Sequence, residues 1–438
     1  MARFDAVRDV DFLIIGAGVA GATAAEEIRS RDARGSIVLV NNEVEYPYHR
    51  PPLSKEFLRG EIATEGEYGA GGVRVRQPEW YRERHIEVLR GVAAADLDTP
   101  SHMVLLVNGQ TLRYRRLLLA TGGVPQRPAV PGADLRGVYS LRTLEDADAI
   151  RAELLTPNRR AVIIGARFIG LETAASAIQK AAHVTVVDNR ARVWPDLLSP
   201  ALSEYILSLF TSRGARLRYG YAPTAILPGA HGRVAAVRIA SVRGNAPYED
   251  IPCDFVILGL GIALNTQLAE SAEIRTEPGR GILVNEQLET SAADVFAAGD
   301  VITYPDSMSG WMHFEHWDHA IASAKTAARN MVGAHEEYTH VPYFFSDLFD
   351  LSINMVGYPL SSPTVDLVIR GNPAAHHFTA LYLDRGHLRA ALTVNDDAHL
   401  DLLRNLIATQ APLMVDTRAL AHPGFDLAAL QSRLHAER

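Results

Sequence analysis

Cysteine is almost absent: Cys253 is the only one in 438 residues. One thiol excludes an intrachain disulfide, a C-x-x-C redox pair and a thiolate metal cluster, so any redox chemistry has to run on a bound cofactor. A lone thiol is most often a small buried core residue, and Cys253 is expected to be one. An excess of positive charge is missing too. The chain has 43 Lys and Arg against 51 Asp and Glu, a net charge of −8. That argues against generic nucleic-acid binding, since phosphate contacts need a basic face. Long apolar runs are also lacking. The run Phe12-Leu13-Ile14-Ile15 follows a charged start and is only strand-length, too short for a membrane span or a secretory leader. A cytoplasmic protein without membrane association is expected. The length is ample for two or three domains with their own cores.

Glycine, by contrast, recurs in one pattern twice. Gly16-Ala17-Gly18-Val19-Ala20-Gly21 follows the apolar run ending at Ile15, and Gly165-Ala166-Arg167-Phe168-Ile169-Gly170 follows Ala161-Val162-Ile163-Ile164. In a strand–turn–helix unit the first glycine makes the tight turn. The second lets backbone approach a pyrophosphate, and the third lets helix pack on strand. Two such units suggest two dinucleotides, typically a flavin and a nicotinamide that exchange a hydride. Arg167 stands at the close-approach glycine of the second copy, where its side chain occupies pyrophosphate space. That points to weakened or altered nicotinamide binding. Asp188 ends the second strand of the second unit, where an acid binds the ribose 2′-hydroxyl and favours NAD, although Arg190 and Arg192 nearby suit a 2′-phosphate. NADH is slightly favoured.

Periodicity predicts strands over 11–15, 36–40, 117–119, 161–164, 184–188, 255–258 and 295–298, with helices over 19–30, 168–181 and 315–332. Strand-like segments 352–356 and 377–383 and a helix near 396–409 follow. The fold expected is α/β: two Rossmann-like dinucleotide-binding domains plus a C-terminal α+β domain. Its divisions fall at 1–123 and 253–336 for an FAD-binding domain in two parts, 124–252 for an NAD(P)-type domain inserted in it, and 337–438 for the last.

Five signatures run in order along nearly the whole chain: GAGVAG at 16–21, RPPLSKE at 50–56, ATGG at 120–123, GARFIG at 165–170 and AAGDV at 297–301. Together they resemble the flavoproteins that include ferredoxin, putidaredoxin and rubredoxin reductases, the reductases of aromatic-ring dioxygenases, and apoptosis-inducing factor. YFFSD at 343–347 is similar to that group's YFWSD. The resemblance implies FAD held by Gly16, Gly18, Ala20 and Gly21, with Asn42 or Glu43 at its ribose, Arg50 near its phosphates, Ala120, Thr121 and Gly122 beside it, and Gly299-Asp300 at the ribityl chain. Lys55 corresponds to a lysine beside the reactive flavin nitrogen and Glu172 to its carboxylate partner. An ammonium there stabilises charge that develops on reduction, and the carboxylate keeps it placed and charged. Phe168 corresponds to an aromatic that shields the flavin and moves to admit nicotinamide. Gly165, Arg167, Gly170 and Asp188 would receive the nicotinamide dinucleotide.

Histidines at 313, 316 and 319 recur every third residue, a spacing that on a helix shares a face and suits a metal. The same stretch matches the family's flavin-covering helix, with Glu315, His316 and Trp317 against the ring, so no metal is assigned. Three readings stay open. The first is an NAD(P)H-dependent reductase of a ferredoxin-like acceptor. The second is an FAD oxidase, dehydrogenase or monooxygenase-like enzyme for a small organic substrate, motivated by Arg167. The third is a redox-sensing protein resembling apoptosis-inducing factor. A homodimer is compatible with each.

Overall fold

The structure, a computed structural model, describes residues 7–244, 247–306, 310–359, 365–413 and 415–430; the outer domain limits drawn at 1 and 438 lie outside them. Two compact units emerge. The first takes the chain up to Pro52, Glu61–Val124 and Ile262–His340. The second takes Leu53–Gly60, Pro125–Gly261 and the chain from Val341.

In the first unit, strands Ile86–Arg90, Ile37–Asn41, Arg8–Ile15, Thr111–Leu119 and Val295–Ala297 lie side by side and parallel. Met103–Leu106 and Ala94–Asp98 extend the sheet antiparallel. The parallel strands are covered on both faces, so they read as unbroken apolar runs such as Phe12-Leu13-Ile14-Ile15, all buried. Helices Val19–Arg31 and Trp317–Met331 pack on this sheet through alanines, with Ala24, Ala25, Ala324 and Ala327 fully buried in one core.

The second unit repeats the plan. Strands Arg216–Tyr219, His183–Asp188, Arg160–Ile164, Phe255–Leu258 and Val138–Ser140 are parallel in that order. A three-stranded antiparallel sheet spans Tyr221–Pro228, Val234–Ser241 and Glu249–Pro252. The C-terminal part is a five-stranded antiparallel sheet, Tyr343–Leu348, Leu351–Gly357, His387–Val394, His377–Asp384 and Val365–Asn372, followed by helix Leu400–Thr409. The sequence reading ended the inserted domain at 252. Strand Phe255–Leu258 pairs with Arg160–Ile164, however, and the change of unit comes at Gly261/Ile262. The reason is physical: a fully buried parallel strand has no polar face to tell one sheet from the next. Cys253 is buried, and burial pushes its thiol up to about 12.

Candidate functional site

In the first unit Gly16 has φ +106, and a Cβ on it would meet the Ala120 carbonyl oxygen at 2.2 Å; one on Gly21 would meet the Gly16 carbonyl oxygen at 1.9 Å. The protein's own packing requires both glycines. Gly18 differs: its backbone is extended, and a Cβ there would meet nothing within 4 Å. Its missing side chain serves only what approaches from outside. Gly18 is also the N-cap of helix Val19–Arg31, which has no side-chain cap and no acidic residue in its first turn. Its first amides and the positive end of its dipole are left for an anion, which fits a dinucleotide pyrophosphate.

The rest of this cradle is pinned from several directions. Gly299, at φ +83, donates its N–H to Ser323 Oγ at 3.0 Å, and a Cβ on it would stand 3.1 Å from that of Ala20. That contact brings the Gly299-Asp300 turn onto the first helix. In the Ala120-Thr121-Gly122 loop, Thr121 Oγ1 donates to the Asn265 carbonyl at 2.8 Å and Asn265 Nδ2 returns a bond to the Thr121 carbonyl at 2.9 Å. Glu43 accepts from Tyr48 Oη at 2.5 Å and from Arg50 Nη2 at 2.6 Å. The carboxylate held in place beside the second strand is therefore Glu43, while Asn42 is exposed.

The second unit reproduces the cradle almost atom for atom. Gly165 N–H binds the Val187 carbonyl at 2.8 Å as Gly16 N–H binds that of Val40 at 3.0 Å. Cβ atoms on Gly165 and Gly170 would meet carbonyl oxygens of Gly259 at 2.3 Å and Gly165 at 2.0 Å. Arg167 takes the place of Gly18 with the same extended backbone, φ −77 and ψ −174, as the uncapped N-cap of helix Phe168–Gln179. The difference is confined to the side chain, which is exposed. Its Nη1 lies 3.5 Å from where a Cβ on Gly261 would stand, along the Gly259-Leu260-Gly261 loop. The register also makes Asn41 the counterpart of Asp188, each following the carbonyl bound by the first glycine. Asp188 is buried and accepts from Ala166 N at 2.6 Å, Arg190 N at 2.8 Å, Arg190 Nε at 2.9 Å and Arg190 Nη2 at 2.8 Å. Burial alone would raise its pKa, but the Arg190 fork and the two amides outweigh it and hold the carboxyl below the usual range.

Lys55 and Glu172 meet inside the second unit. Lys55 Nζ donates to Glu172 Oε2 at 3.0 Å, and the two side chains are 4% and 3% exposed. Ser54 Oγ donates to the same oxygen at 2.5 Å and Ser346 Oγ to the other at 2.8 Å. The Lys55 ammonium lies 5.3 Å from the centre of the Phe345 ring. So buried an ion pair persists only because the carboxylate's remaining lone pairs are also satisfied. Phe168 sits between Trp194 and Phe344, with ring centres at 4.6 and 4.7 Å.

The histidine segment in the first unit corrects the helix reading. Gly310–Met312 is a strand paired with Ile302–Asp306, and the helix begins at Trp317 with His316 as N-cap. His313 and His316 therefore share no helix face. Each imidazole is engaged separately: His313 Nδ1 donates to the Ile302 carbonyl at 2.9 Å, His316 stacks on Phe314, and His319 Nδ1 bonds Tyr338 Oη at 2.8 Å. Glu315 is exposed, 3.5 Å from His313. Burial pushes His316 down to about 4. Trp317 Nε1 donates to His49 Nδ1 at 2.9 Å.

The sequence pattern of pyridine nucleotide-disulphide oxidoreductases covers residues 10–324, and that of the reductase C-terminal domain covers 343–431. The chain belongs to the pyridine nucleotide-disulphide oxidoreductase family. It is an FAD-dependent oxidoreductase of the ferredoxin-reductase type, in a family that pairs FAD with NAD(P)H. It is 34% identical over 414 residues to the ferredoxin–NAD(+) reductase component of the anthranilate 1,2-dioxygenase system of Burkholderia cepacia, covering 94% of this chain and 97% of that one. Identity to putidaredoxin reductase of Pseudomonas putida is 32% over 92% of each. Among solved structures, that of the covalent putidaredoxin reductase–putidaredoxin complex matches with a TM-score of 0.89 at 30% identity, over 98% of this chain and 99% of that one.

Within this oxidoreductase several residues escaped the motif reading although two of them lay inside quoted motifs. Ser54 belongs to RPPLSKE and Ser346 to YFFSD, and both close on Glu172. Asn265 locks the Thr121 loop from far along the sequence with no local signal. Among the described residues no helix is long and apolar enough to cross a membrane.

Proposed function

We propose that this protein takes a hydride from a reduced nicotinamide dinucleotide and delivers electrons singly to an iron–sulfur protein of ferredoxin type. FAD, when bound, supplies the conversion between two-electron and one-electron steps. The observation that carries the reading is the duplicated cradle, in which two uncapped helix N-termini follow the same turn in two separate units. Gly16, Gly18 and Gly21 with the first helix hold the flavin dinucleotide, joined by Glu43 and Asn42 at the ribose, Arg50 at the phosphates, Ala120, Thr121 and Gly122 at the loop, and Asp300 at the ribityl chain. Gly165, Gly170 and Asp188 receive the nicotinamide dinucleotide, with Arg167 at its pyrophosphate. Lys55 supplies the positive charge that a flavin gaining electrons calls for, and Glu172 with its two serines fixes that ammonium. Phe168, Glu315, His316 and Trp317 serve as cover for the ring. A ferredoxin-type partner is supported by the names of the relatives, a putidaredoxin reductase and the ferredoxin–NAD(+) reductase component of a dioxygenase system.

Anaerobic stopped-flow mixing of the flavin-loaded protein with NADH and NADPH tests this directly. Saturable bleaching of the visible flavin band is expected, slowed in Lys55→Met. Bleaching by neither coenzyme at millimolar concentration overturns the reading and turns the search to an organic substrate for the flavin.

A further inference from the structure

Asp188 stands where an acid reads the ribose 2′-hydroxyl of NAD, but in this structure it is already fully occupied. Its two oxygens take four donors, three of them from Arg190, in a two-bond fork plus the backbone amide. A carboxylate has about four lone-pair sites, so a ribose hydroxyl finds none open. The pair is fixed at both ends. Asp188 caps the Ala166 amide of the glycine turn, and the Arg190 carbonyl accepts from Gly220 N at 2.9 Å. Arg190 is the more accessible member, 24% exposed against 4%, and its Nη1 has no hydrogen-bond partner among the described residues. Tyr219, opposite Asp188 in the strand register, has a buried hydroxyl without a partner and lies within electrostatic reach of both. The accessible face of the pair thus offers an arginine nitrogen, with the acid's charge cancelled behind it.

We infer that Arg190, by clamping Asp188, sets coenzyme choice and admits a ribose 2′-phosphate, so that NADPH binds about as well as NADH. The inference rests on the proposed nicotinamide site. Without the clamp the acid is bare, accepts a 2′-hydroxyl and repels a phosphate; with it the pair is neutral and its outer face donates only. Arg190 is a specificity determinant and touches no reacting atom.

The test is equilibrium titration of the flavin-loaded protein with NAD+ and NADP+, and with 5′-AMP and adenosine 2′,5′-bisphosphate as fragments that carry only the adenosine-side phosphate of the pyrophosphate and differ from each other at the 2′ position. The wild type is expected to bind the two coenzymes within about tenfold of each other. Arg190→Ala shifts the ratio at least about tenfold toward NAD+ and the fragment ratio toward 5′-AMP. Arg190→Lys, which keeps the charge and loses the fork, retains most of the NADP+ binding. A strong wild-type preference for NAD+, or ratios that do not move in Arg190→Ala, overturns the inference alone. Binding of neither coenzyme nor fragment to the wild type overturns the nicotinamide site itself and the inference with it. A thermal unfolding profile that matches the wild type's shows that each variant is folded.

Discussion

Arg167→Gly is expected to tighten nicotinamide-dinucleotide binding by about thirtyfold. The two cradles supply the reasoning. Arg167 and Gly18 share one backbone conformation, and neither offers a side-chain cap, so the substitution leaves the turn as it is. Glycine is nearly as good an N-cap as the polar residues, within a few tenths of a kcal/mol, and stability should barely move. At Gly18 a Cβ meets no protein atom, which makes the space beyond it ligand space, and in the second cradle that space begins with the Arg167 side chain. Displacing that side chain from the Gly261 loop, or shifting the ligand around it, costs ~2–3 kcal/mol. A guanidinium–phosphate contact offsets part of this, but an exposed ion pair returns only ~0–1 kcal/mol. The balance of about 2 kcal/mol is about thirtyfold. Bleaching rates measured against NADH and NADPH concentration separate the two quantities. The apparent Kd should fall while the limiting rate holds, and Arg167→Ala should recover part of the gain. A variant that binds tenfold more weakly refutes the steric argument and makes Arg167 a phosphate clamp.

Two further outcomes follow from the buried groups. Glu172→Ala strands the Lys55 ammonium, 4% exposed, and should cost ~3–5 kcal/mol of stability, whereas Lys55→Met/Glu172→Leu together should cost clearly less than either change alone. Denaturant unfolding measures this, and a single-variant loss under about 1 kcal/mol would show the pair to be solvated. His49 accepts from Trp317 through Nδ1 and is held by burial at about 4 against an ordinary 6.5. The folded state therefore binds fewer protons than the unfolded one across that interval. This contribution is complete above 6.5 and is lost as pH falls toward 4. His49→Gln should flatten that part of the melting-temperature profile, and parallel profiles for variant and wild type would count against the assignment.

The elements came through in the sequence wherever burial imposes one period. Phe255–Leu258 matches its predicted limits, and the two glycine-turn helices start at the expected residues. What sequence spacing missed depends on register and on strand pairing. The family resemblance singles out Asn42, just after the second strand, yet the bond from Gly16 to Val40 makes Asn41 the counterpart of Asp188. The imidazoles at 313 and 316 have helical spacing, but the pairing of Gly310–Met312 with Ile302–Asp306 pulls the first of them out of the helix. Both serines on Glu172 were visible as letters; their convergence on one carboxylate was not, because it joins segments over 100 residues apart. Likewise Asp188 and Arg190 read as competing signals in sequence, and only the fork between them shows that the second cancels the first.

The duplication also shows which residues testify to a ligand at all. Gly16 and Gly165, like Gly21 and Gly170, are held by contacts with their own backbone, so each pair would be demanded by the turn even if nothing bound there. Their presence in the second cradle says nothing about nicotinamide. The informative positions are those at which the two cradles differ: Gly18 against Arg167, and Asn41 against Asp188. At both, the two cradles differ in the side chain and agree in the backbone. Asp188 has one duty within the turn, the bond from the Ala166 amide, yet keeping its charge buried calls for a partly exposed arginine to cancel it, and an apolar residue at the end of that strand would avoid the desolvation cost. Retaining the pair makes sense where its outer face meets something polar, and that is why coenzyme titration of Arg190 variants and bleaching kinetics of Arg167 variants probe two separate parts of one cradle.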